Sequence, residues 1–433
     1  MSRKMGFWSV FALVMGSQVG SGVFMLPANL APYGIFSLGG WIISGLGAVA
    51  LALVFAKLCS WFPQTGGPHV YVKEAFGLSA AFFTGWTYWV VSWVSTTVLI
   101  IASIGYLTPL IGCNTPTVNI FLEIGLLLAI TALNFRGVTT AGRAEFLLTM
   151  LKLIPLFIVP ILALYYFNSA HFSLDSTVAH LTTQQILGRV TLLTMWGFVG
   201  LETATTSAGS VDNPSKTIPR AVIVGTICVA LLYLISSLGI MGAIPGKELA
   251  HSNAPYADVV QFIFGGNWHL VISVLASIAC IGSLNAWTMT SGQTVLGLAQ
   301  DGLMPAFFGR KNKYDAPYLG ILTSSIGIIA FLIMTANKSL VTQILMIIDF
   351  SVTAFLFVYT LCCLAFLRLL LQKKANIWRM LPQLIYGSLA LIFCGWVIYE
   401  TQVYVILIAS LFTLIGLPFY LLFLSKQIAK KRV

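Results

Sequence analysis

The sequence predicts an all-helical protein that is embedded in a membrane, and three observations support this fold class. Of the 433 residues, 58% are hydrophobic and only 8% are charged, whereas soluble domains carry about 25% charged residues. Apolar runs of about 18 residues or more recur along the whole chain, and each is long enough to cross a bilayer as a helix. Except for Lys152, the basic residues lie in the connections between these runs or close to the end of a run, which is typical of membrane proteins.

Twelve apolar runs are candidate transmembrane helices. Their approximate bounds are 7–27, 37–61, 79–110, 116–134, 141–167, 186–209, 218–243, 267–300, 317–336, 340–371, 378–399 and 402–424. The longest connections have about 20 residues and leave no room for a soluble domain, so we predict a single transmembrane domain over 1–433. No small-residue cleavage site follows the first run, and we interpret it as a retained helix.

The distribution of basic residues predicts the orientation. All but four of the 23 Lys and Arg residues fall on one side of the membrane, which is the cytoplasmic side if the N-terminus is cytoplasmic. Arg189, Lys247 and Lys338 fall on the other side, and Lys152 lies within a run. Lys and Arg concentrate in cytoplasmic loops, so both termini are predicted to be cytoplasmic. The net charge of +11 therefore reflects topology, and we expect no nucleic-acid partner.

Runs one to five and six to ten form two halves of the chain. Because each half has an odd number of spans, the second half is inverted in the membrane relative to the first. Inverted repeats of this kind underlie alternating access in secondary transporters. We predict repeat one over about 7–167, repeat two over about 186–371, and two accessory helices over about 378–424.

Each half opens with a run that glycine interrupts. The interruptions read Gly16-Ser17-Gln18-Val19-Gly20-Ser21-Gly22 and Gly197-Phe198-Val199-Gly200-Leu201-Glu202. Non-helical backbone at membrane depth is tolerated only where it is buried in protein or lines a cavity. Broken helices at matching positions of two halves indicate the substrate site of a transporter. The competing interpretation is close helix packing through small residues such as Gly16 and Gly20.

The two breaks together predict a site for an amino acid. Unwinding near Val19 exposes the N–H groups of Ser21 and Gly22 at the start of a half-helix, where a carboxylate is favoured. Carbonyl groups exposed near Gly197 and Gly200 suit an ammonium group. An amino acid carries both groups.

Four ionisable residues lie in or near the apolar runs, where such residues are functional-site candidates. Glu202 follows the second break, and Lys152 lies deep in the fifth run; we expect either of them to exchange protons. Asp349 is expected to attract a cationic side chain, and Glu123 has no assigned role. The alternative for each is a static ion pair or hydrogen bond.

Polar and aromatic residues within the runs extend the candidate site. Tyr88, Ser92 and Thr96 recur at helical spacing on one face, which is expected to contact protein or a cavity. Trp196 and Trp287 lie in mid-span, away from the membrane interfaces where tryptophan concentrates. Either ring can stack on a cationic group or act as a gate, and the alternative is packing. A second polar stripe in the eighth run comprises Ser283, Asn285, Thr288, Thr290 and Ser291.

Several motifs resemble those of the amino acid–polyamine–organocation superfamily. They are Gly20-Ser21-Gly22-Val23-Phe24-Met25-Leu26-Pro27-Ala28-Asn29-Leu30, Trp196-Gly197-Phe198-Val199-Gly200-Leu201-Glu202, Asp212-Asn213-Pro214 and Gly282-Ser283-Leu284-Asn285-Ala286-Trp287-Thr288. The chain looks most similar to the basic amino acid/polyamine antiporters, in particular the bacterial arginine/agmatine antiporters. The resemblance implies a leucine-transporter fold in which helices 1 and 6 are discontinuous.

The same resemblance implies roles for individual residues. The backbone of Ser21 and Gly22 would bind the substrate carboxylate. Val19 at the first break and Ser92 on the polar face are further candidates for the substrate site. Trp196 would be the aromatic gate over the substrate. Trp287 would lie under the substrate side chain, and Tyr88 would form part of a distal gate. Glu202 would handle protons. His69, which replaces a tyrosine, would take part in a pH response.

Three positions depart from the arginine/agmatine pattern. Thr96 replaces an asparagine that reaches the guanidinium group, and Asp349 replaces a serine at the side-chain end of the site. Lys152 replaces a small residue, and a lysine there is typical of proton-coupled relatives, in which its ammonium stands in for a sodium ion. Both the substrate side chain and the coupling mode are therefore left open.

The function that we predict is an antiporter in the bacterial inner membrane, which exchanges a basic amino acid for a related amine or amino acid. The alternative is a proton-coupled importer of neutral amino acids, and a more remote one is a non-transporting amino-acid sensor. No metal cluster, nucleophile–base pair or phosphate loop is recognisable, so we expect no enzymatic activity, metal or cofactor. The expected partners are the lipid bilayer and a small amine or amino acid, with protons and a homodimer left open.

Overall fold

The computed structural model describes residues 4–112, 115–252, 254–336, 340–373 and 377–422. Over these residues the chain is helical and contains no β-strand, apart from one isolated bridge between Met5 and Val211. The longer membrane helices are α1 (Phe7–Gln18), α2 (Ser21–Leu30), α3 (Phe36–Trp61), α5 (Leu78–Ile111), α6 (Pro116–Asn134), α7 (Val138–Ala163), α8 (Thr183–Met195), α10 (Pro214–Ala243), α13 (Trp268–Gln300), α14 (Tyr318–Thr335), α15 (Leu340–Gln372), α16 (Ile377–Glu400) and α17 (Val403–Leu414). The short helices are α4 (Pro68–Phe76), α9 (Thr203–Thr206), α11 (Gly246–Leu249) and α12 (Pro255–Phe264).

Eleven helical segments of the described chain are long and apolar enough to cross a membrane. They coincide with eleven of the twelve predicted spans and confirm a multi-pass membrane protein. The predicted sixth span is the exception. It is divided into α8, a 3-10 turn at Trp196–Phe198 and α9, and none of these pieces is long enough to cross a membrane by itself.

Burial separates central helices from peripheral ones. The segment Phe7–Tyr33, which contains α1 and α2, is 89% buried, and α5 is 83% buried. In contrast, α6 is 22% buried and the α17 segment 17%. An apolar helix that other helices do not cover faces lipid, so α6 and α17 lie at the rim, whereas α1, α2 and α5 form the centre.

The sequence did not predict the short helix α4. The predicted spans leave residues 62–78 as a connection, but α4 begins at Pro68, where the fixed φ of proline suits the first helical position. It ends at Phe76 and is followed by Gly77, which has a φ of 85°, in the left-handed region that favours glycine. The helix carries Lys73 and His69, which is a predicted site residue.

Some residues used for the topology prediction lie outside the described residues. These are Lys338, Arg3, Lys374 and the basic residues between 423 and 433.

Candidate functional site

The first break separates α1 from α2. Helix α1 ends at Gln18, α2 begins at Ser21, and Gly20 between them has φ −126° and ψ −138°. No side chain caps the N-terminus of α2, so its first N–H groups are available to an acceptor. Ser21 Oγ and Gln18 Oε1 are two of thirteen buried side-chain atoms of the described residues that have no hydrogen-bond partner, and both lie at this break. Buried polar atoms normally have partners, and two without one at a helix break point to a ligand.

The second break follows the 3-10 turn Trp196–Phe198. Val199 is extended, and Gly200 has a φ of 108°, which a residue with a Cβ rarely adopts. The carbonyl of Gly200 accepts hydrogen bonds from Thr203 Oγ1 at 2.8 Å and from Ser17 Oγ at 2.8 Å. Since Ser17 belongs to α1, its hydroxyl joins the two breaks directly.

A small cavity, which we call the central cavity, lies between the two breaks. Its lining residues are Ser17, Gln18, Gly20, Ser21, Gly22, Ser95, Leu99, Trp196, Val199 and Trp287. Its volume is about 20 Å³, which is room for about one water molecule. The Trp196 ring packs against the first turn of α2, where a Cβ placed on Gly22 would lie 2.9 Å from it. An amino acid is larger than this cavity, so it fits only if lining residues move.

Trp287 forms another wall of the central cavity. Its indole N–H donates to Ser17 O at 3.2 Å, and a Cβ on Gly200 would lie 3.1 Å from its ring. The ring also packs against Phe355, with centroids 5.2 Å apart. Trp287 therefore contacts both broken segments and fixes their separation.

Glu202 is completely buried behind the second break. Tyr88 OH donates to its Oε1 at 2.8 Å, and Tyr359 OH donates to its Oε2 at 2.5 Å. The N–H of Gly200 donates in turn to Tyr359 OH at 3.4 Å. Two tyrosines thus attach the second break to α5 and α15. Sequence reasoning identified Tyr88 and Glu202 but not Tyr359, because nothing in the local sequence of α15 shows which helix it faces.

Lys152 is completely buried beside the first break. Its Nζ donates to Gly16 O at 2.8 Å and to Ser283 Oγ at 3.4 Å. The hydroxyl of Ser283 lies 2.6 Å from Gly16 O and 2.8 Å from Val19 O. Carbonyls near the end of α1 lack partners within their own helix, and α7 and α13 provide partners for two of them through these side chains.

Glu145 is the functional candidate that sequence reasoning missed. It is completely buried, and its Oε1 lies 3.6 Å from Lys152 Nζ. Its Oε2 accepts from Asn285 Nδ2 at 3.0 Å, and its Oε1 from Thr149 Oγ1 at 3.1 Å. The available signal was the spacing of seven residues between Glu145 and Lys152, which places both on one face of α7.

Several predicted site residues do not line the central cavity. The hydroxyl groups of Ser92 and Thr96 are buried and donate to carbonyls of their own helix, at 2.7 Å and 2.6 Å. The polar face of α5 thus contacts protein as expected, but Ser95 is the residue that reaches the cavity. Glu123 lies on the peripheral helix α6 and lines neither this cavity nor the larger cavity that contains Asp349.

Asp349 lines a separate and much larger cavity, which we call the large vestibule. It has a volume of about 850 Å³ and lies between α2, α8, α15 and the α16–α17 connection. Arg189 and Glu400 also line it. The structure therefore places Asp349 away from the central cavity, whereas the sequence analysis assigned it to the same substrate site as the two breaks.

His69 belongs to a third cluster, on α4. Its Nε2 lies 3.2 Å from Asp301 Oδ2, and Lys73 Nζ lies 2.6 Å from Asp301 Oδ1. Partial burial raises the pKa of Asp301, but the hydrogen bonds from His69 and Lys73 outweigh this effect and hold the pKa below its ordinary value. The cluster joins α4 to the C-terminal end of α13 and does not contact the central cavity.

Taken together, a multi-pass helical bundle with a closed polar cavity between two broken helices defines a membrane transporter. Comparison with known proteins agrees with this class. An amino acid permease family model matches residues 5–427. The chain belongs to this family, whose relatives are membrane transporters and not enzymes.

Individual relatives narrow the chemistry of their substrates. The chain is 32% identical to the putrescine transporter PotE of Escherichia coli (strain K12), over 87% of this chain and 85% of the relative. It is 29% identical to PotE of Haemophilus influenzae, over 97% of both chains. It is 32% identical to the cadaverine/lysine antiporter of Escherichia coli (strain K12), over 77% of this chain and 75% of the relative. These similarities support an amino acid or amine as the substrate class.

The contact between Gly16 and Glu145 generates a stability prediction. A Cβ on Gly16 would lie 1.9 Å from Glu145 Oε1, so Gly16→Ala forces the buried carboxylate away from its partners. We expect a loss of about 1–3 kcal/mol of stability, measured as a lower thermal midpoint of the detergent-solubilised protein. The matched control is Gly125→Ala on α6, where a Cβ meets nothing within 4 Å. Equal midpoints for the two variants would contradict the proposed crowding at Gly16.

Proposed function

We propose that the protein is a secondary active antiporter that exchanges a basic amino acid for a related amine or amino acid by alternating access. The observation that carries this proposal is the central cavity, in which an uncapped helix N-terminus and the unpartnered Ser21 and Gln18 atoms face the second break. The substrates in the relatives' names, putrescine and cadaverine/lysine, support a cationic substrate.

In the proposed site, the two breaks hold the α-groups of the amino acid. The N–H groups of Ser21 and Gly22 bind the carboxylate at the positive end of the α2 dipole. Backbone around the second break, after Trp196, binds the ammonium. The Trp196 ring covers the substrate, and Trp287 supports it from the other wall.

The proposed architecture is the leucine-transporter type, with inverted repeats over about 7–167 and 186–371 and accessory helices over about 378–424. The two breaks lie in the first helical region of each repeat, as this architecture requires. With both termini cytoplasmic in the bacterial inner membrane, α4 and its cluster lie on the inner side and the large vestibule lies on the outer side.

Gating and coupling are proposed for the clusters around the breaks. Glu202 with Tyr88 holds the second break in its closed arrangement and can take up a proton when the break opens. Deprotonation of Lys152 removes the charge that strengthens its bond to Gly16 O, and movement of α1 breaks that bond, which links the charge of Lys152 to the first break. The His69–Asp301 contact is proposed to make the closure of α4 against α13 depend on pH.

A second candidate, the proton-coupled importer of neutral amino acids, is favoured by one observation. Lys152 and Glu145 form a completely buried pair at the first break, and buried ionisable groups in membrane proteins often belong to proton relays. In this alternative, protons that bind to and leave the pair, and not a second substrate, would drive the transport cycle.

Transport by the purified protein in liposomes separates the two candidates. We expect labelled lysine, ornithine or arginine to enter only when the vesicles contain an amino acid or diamine, because an antiporter returns through its loaded states. Liposomes without protein and vesicles without internal substrate are the controls. Accumulation of a neutral amino acid, driven by a pH gradient alone, would contradict the antiporter and support the importer.

The Lys152–Glu145 pair generates a prediction that separates folding from coupling. Lys152→Met leaves the Glu145 charge buried without its cation, and removing one partner of a buried pair costs about 3–5 kcal/mol. We expect this variant to have a strongly lowered thermal midpoint. Lys152→Met combined with Glu145→Gln removes both charges, so we expect the midpoint to recover.

The pH profile of the double variant then tests the coupling role. If the pair takes part in coupling, exchange by the folded double variant has a flatter pH dependence than exchange by the wild type. A wild-type pH profile in a well-folded double variant would show that the pair is purely structural.

A further inference from the structure

The large vestibule contains charged groups of both signs that do not neutralise each other. The ion pairs within the described residues are His69–Asp301, Lys73–Asp301, Lys152–Glu145 and Lys311–Asp315. The vestibule residues Arg189, Asp349 and Glu400 take part in none of them. Of the three, Glu400 accepts one hydrogen bond, from Gln184 Nε2 at 3.0 Å. A cation and two anions therefore share one cavity of about 850 Å³ and remain available to a ligand.

The three charged groups come from different helices and surround the cavity. Arg189 lies on α8, Asp349 on α15 and Glu400 at the end of α16. Asp349 is partly buried, and Glu400 packs so closely on α8 that a Cβ on Gly188 would lie 2.6 Å from its Oε2. An acidic residue at membrane depth without an ion-pair partner is a functional candidate by itself. Here the cavity beside it is large enough for an amino acid.

The vestibule lies directly beyond the central cavity. Arg189 precedes Trp196 by seven residues along α8 and its continuing turn, which corresponds to a distance of about 10 Å. On α2, Gly22 of the central cavity precedes Asn29 of the vestibule by the same number of residues, again about 10 Å. Both helices thus give the same separation, so a ligand in the vestibule lies about 10 Å from the central site.

We propose that the large vestibule is a loading subsite for zwitterionic basic amino acids, and that Arg189 makes it select them over diamines. Arg189 binds the α-carboxylate, for which its planar guanidinium is well suited, while Asp349 and Glu400 bind the cationic end of the side chain. A diamine has no carboxylate, so it meets the Arg189 charge without a compensating contact. This inference rests on the proposed transport of basic amino acids and amines and deepens it, because it assigns the selection to a separate site.

Matched substrate pairs test this selection. Lysine and cadaverine differ only in the α-carboxylate, as do ornithine and putrescine. Exchange is measured from the vestibule side, with the apparent KM of each member of a pair that the wild type transports. Arg189→Gln is expected to raise the KM for the amino acid about tenfold or more, since it removes a charge-assisted contact. The KM for the diamine is expected to stay the same or fall.

Two further variants test the acidic side of the subsite. Asp349→Asn and Glu400→Gln keep the shape of each side chain but remove the negative charge, so both are expected to raise the KM for the amino acid and for the diamine together. Lys247→Gln is the matched control: it removes a basic residue on the same proposed side that does not line the vestibule. Its KM values are expected to equal those of the wild type.

The outcomes distinguish this inference from the proposed function. If the wild type exchanges the substrates but Arg189→Gln changes both KM values of a pair by the same factor, the selection by Arg189 is wrong and the antiporter remains. If the wild type exchanges no member of any pair, the proposed function itself is wrong. Arg189→Lys retains the charge and is expected to preserve the preference for the amino acid, which excludes a mere folding defect in Arg189→Gln.

Discussion

The need to satisfy backbone polar groups inside a bilayer governs this structure more than any other constraint. A helix that is broken at membrane depth exposes carbonyl and N–H groups that lipid cannot bond. At the first break, Lys152 and Ser283 supply bonds to Gly16 O and Val19 O. The opposite end of the break, the N-terminus of α2, receives no side-chain cap. The protein's own side chains therefore bond the carbonyl groups at the end of α1. The N–H groups at the start of α2 are left for a substrate carboxylate in the proposed mechanism.

The buried charges follow from that solution. A lysine ammonium placed against the break needs a counter-charge, because an isolated charge in a low-dielectric interior is costly. Glu145 supplies it, and Gly16 leaves the space that this carboxylate occupies. The second break is held by neutral hydroxyl donors instead, since Tyr88 and Tyr359 both donate to Glu202. The two breaks thus differ chemically: the first is tied to a charged pair, and the second to a carboxylate between phenols.

The cavities place these elements in a sequence that suits alternating access. The central cavity holds about one water molecule, whereas the large vestibule has a volume of about 850 Å³. An open space with unpaired charges thus lies on the same two helices, α2 and α8, as a small cavity with unpartnered polar side-chain atoms. In the proposed mechanism, the large vestibule recognises the carboxylate and the cationic end of the substrate together, and the central cavity then encloses its α-groups.

The sequence by itself determined the class of protein, the membrane spans and the two breaks. Long apolar runs and glycine interruptions are local properties, and the bilayer imposes the same response wherever they occur. It also identified Lys152, Glu202, Trp196 and Trp287 as special, because polar or bulky aromatic residues in mid-span are conspicuous. Only the tertiary structure decided which of these residues meet. It brought Tyr359 to Glu202, and it placed Asp349 in the large vestibule and not at the central cavity. Helix packing brings together residues more than 100 positions apart, such as Tyr359 and Glu202, and no periodicity within one helix specifies which neighbouring helix a face will contact.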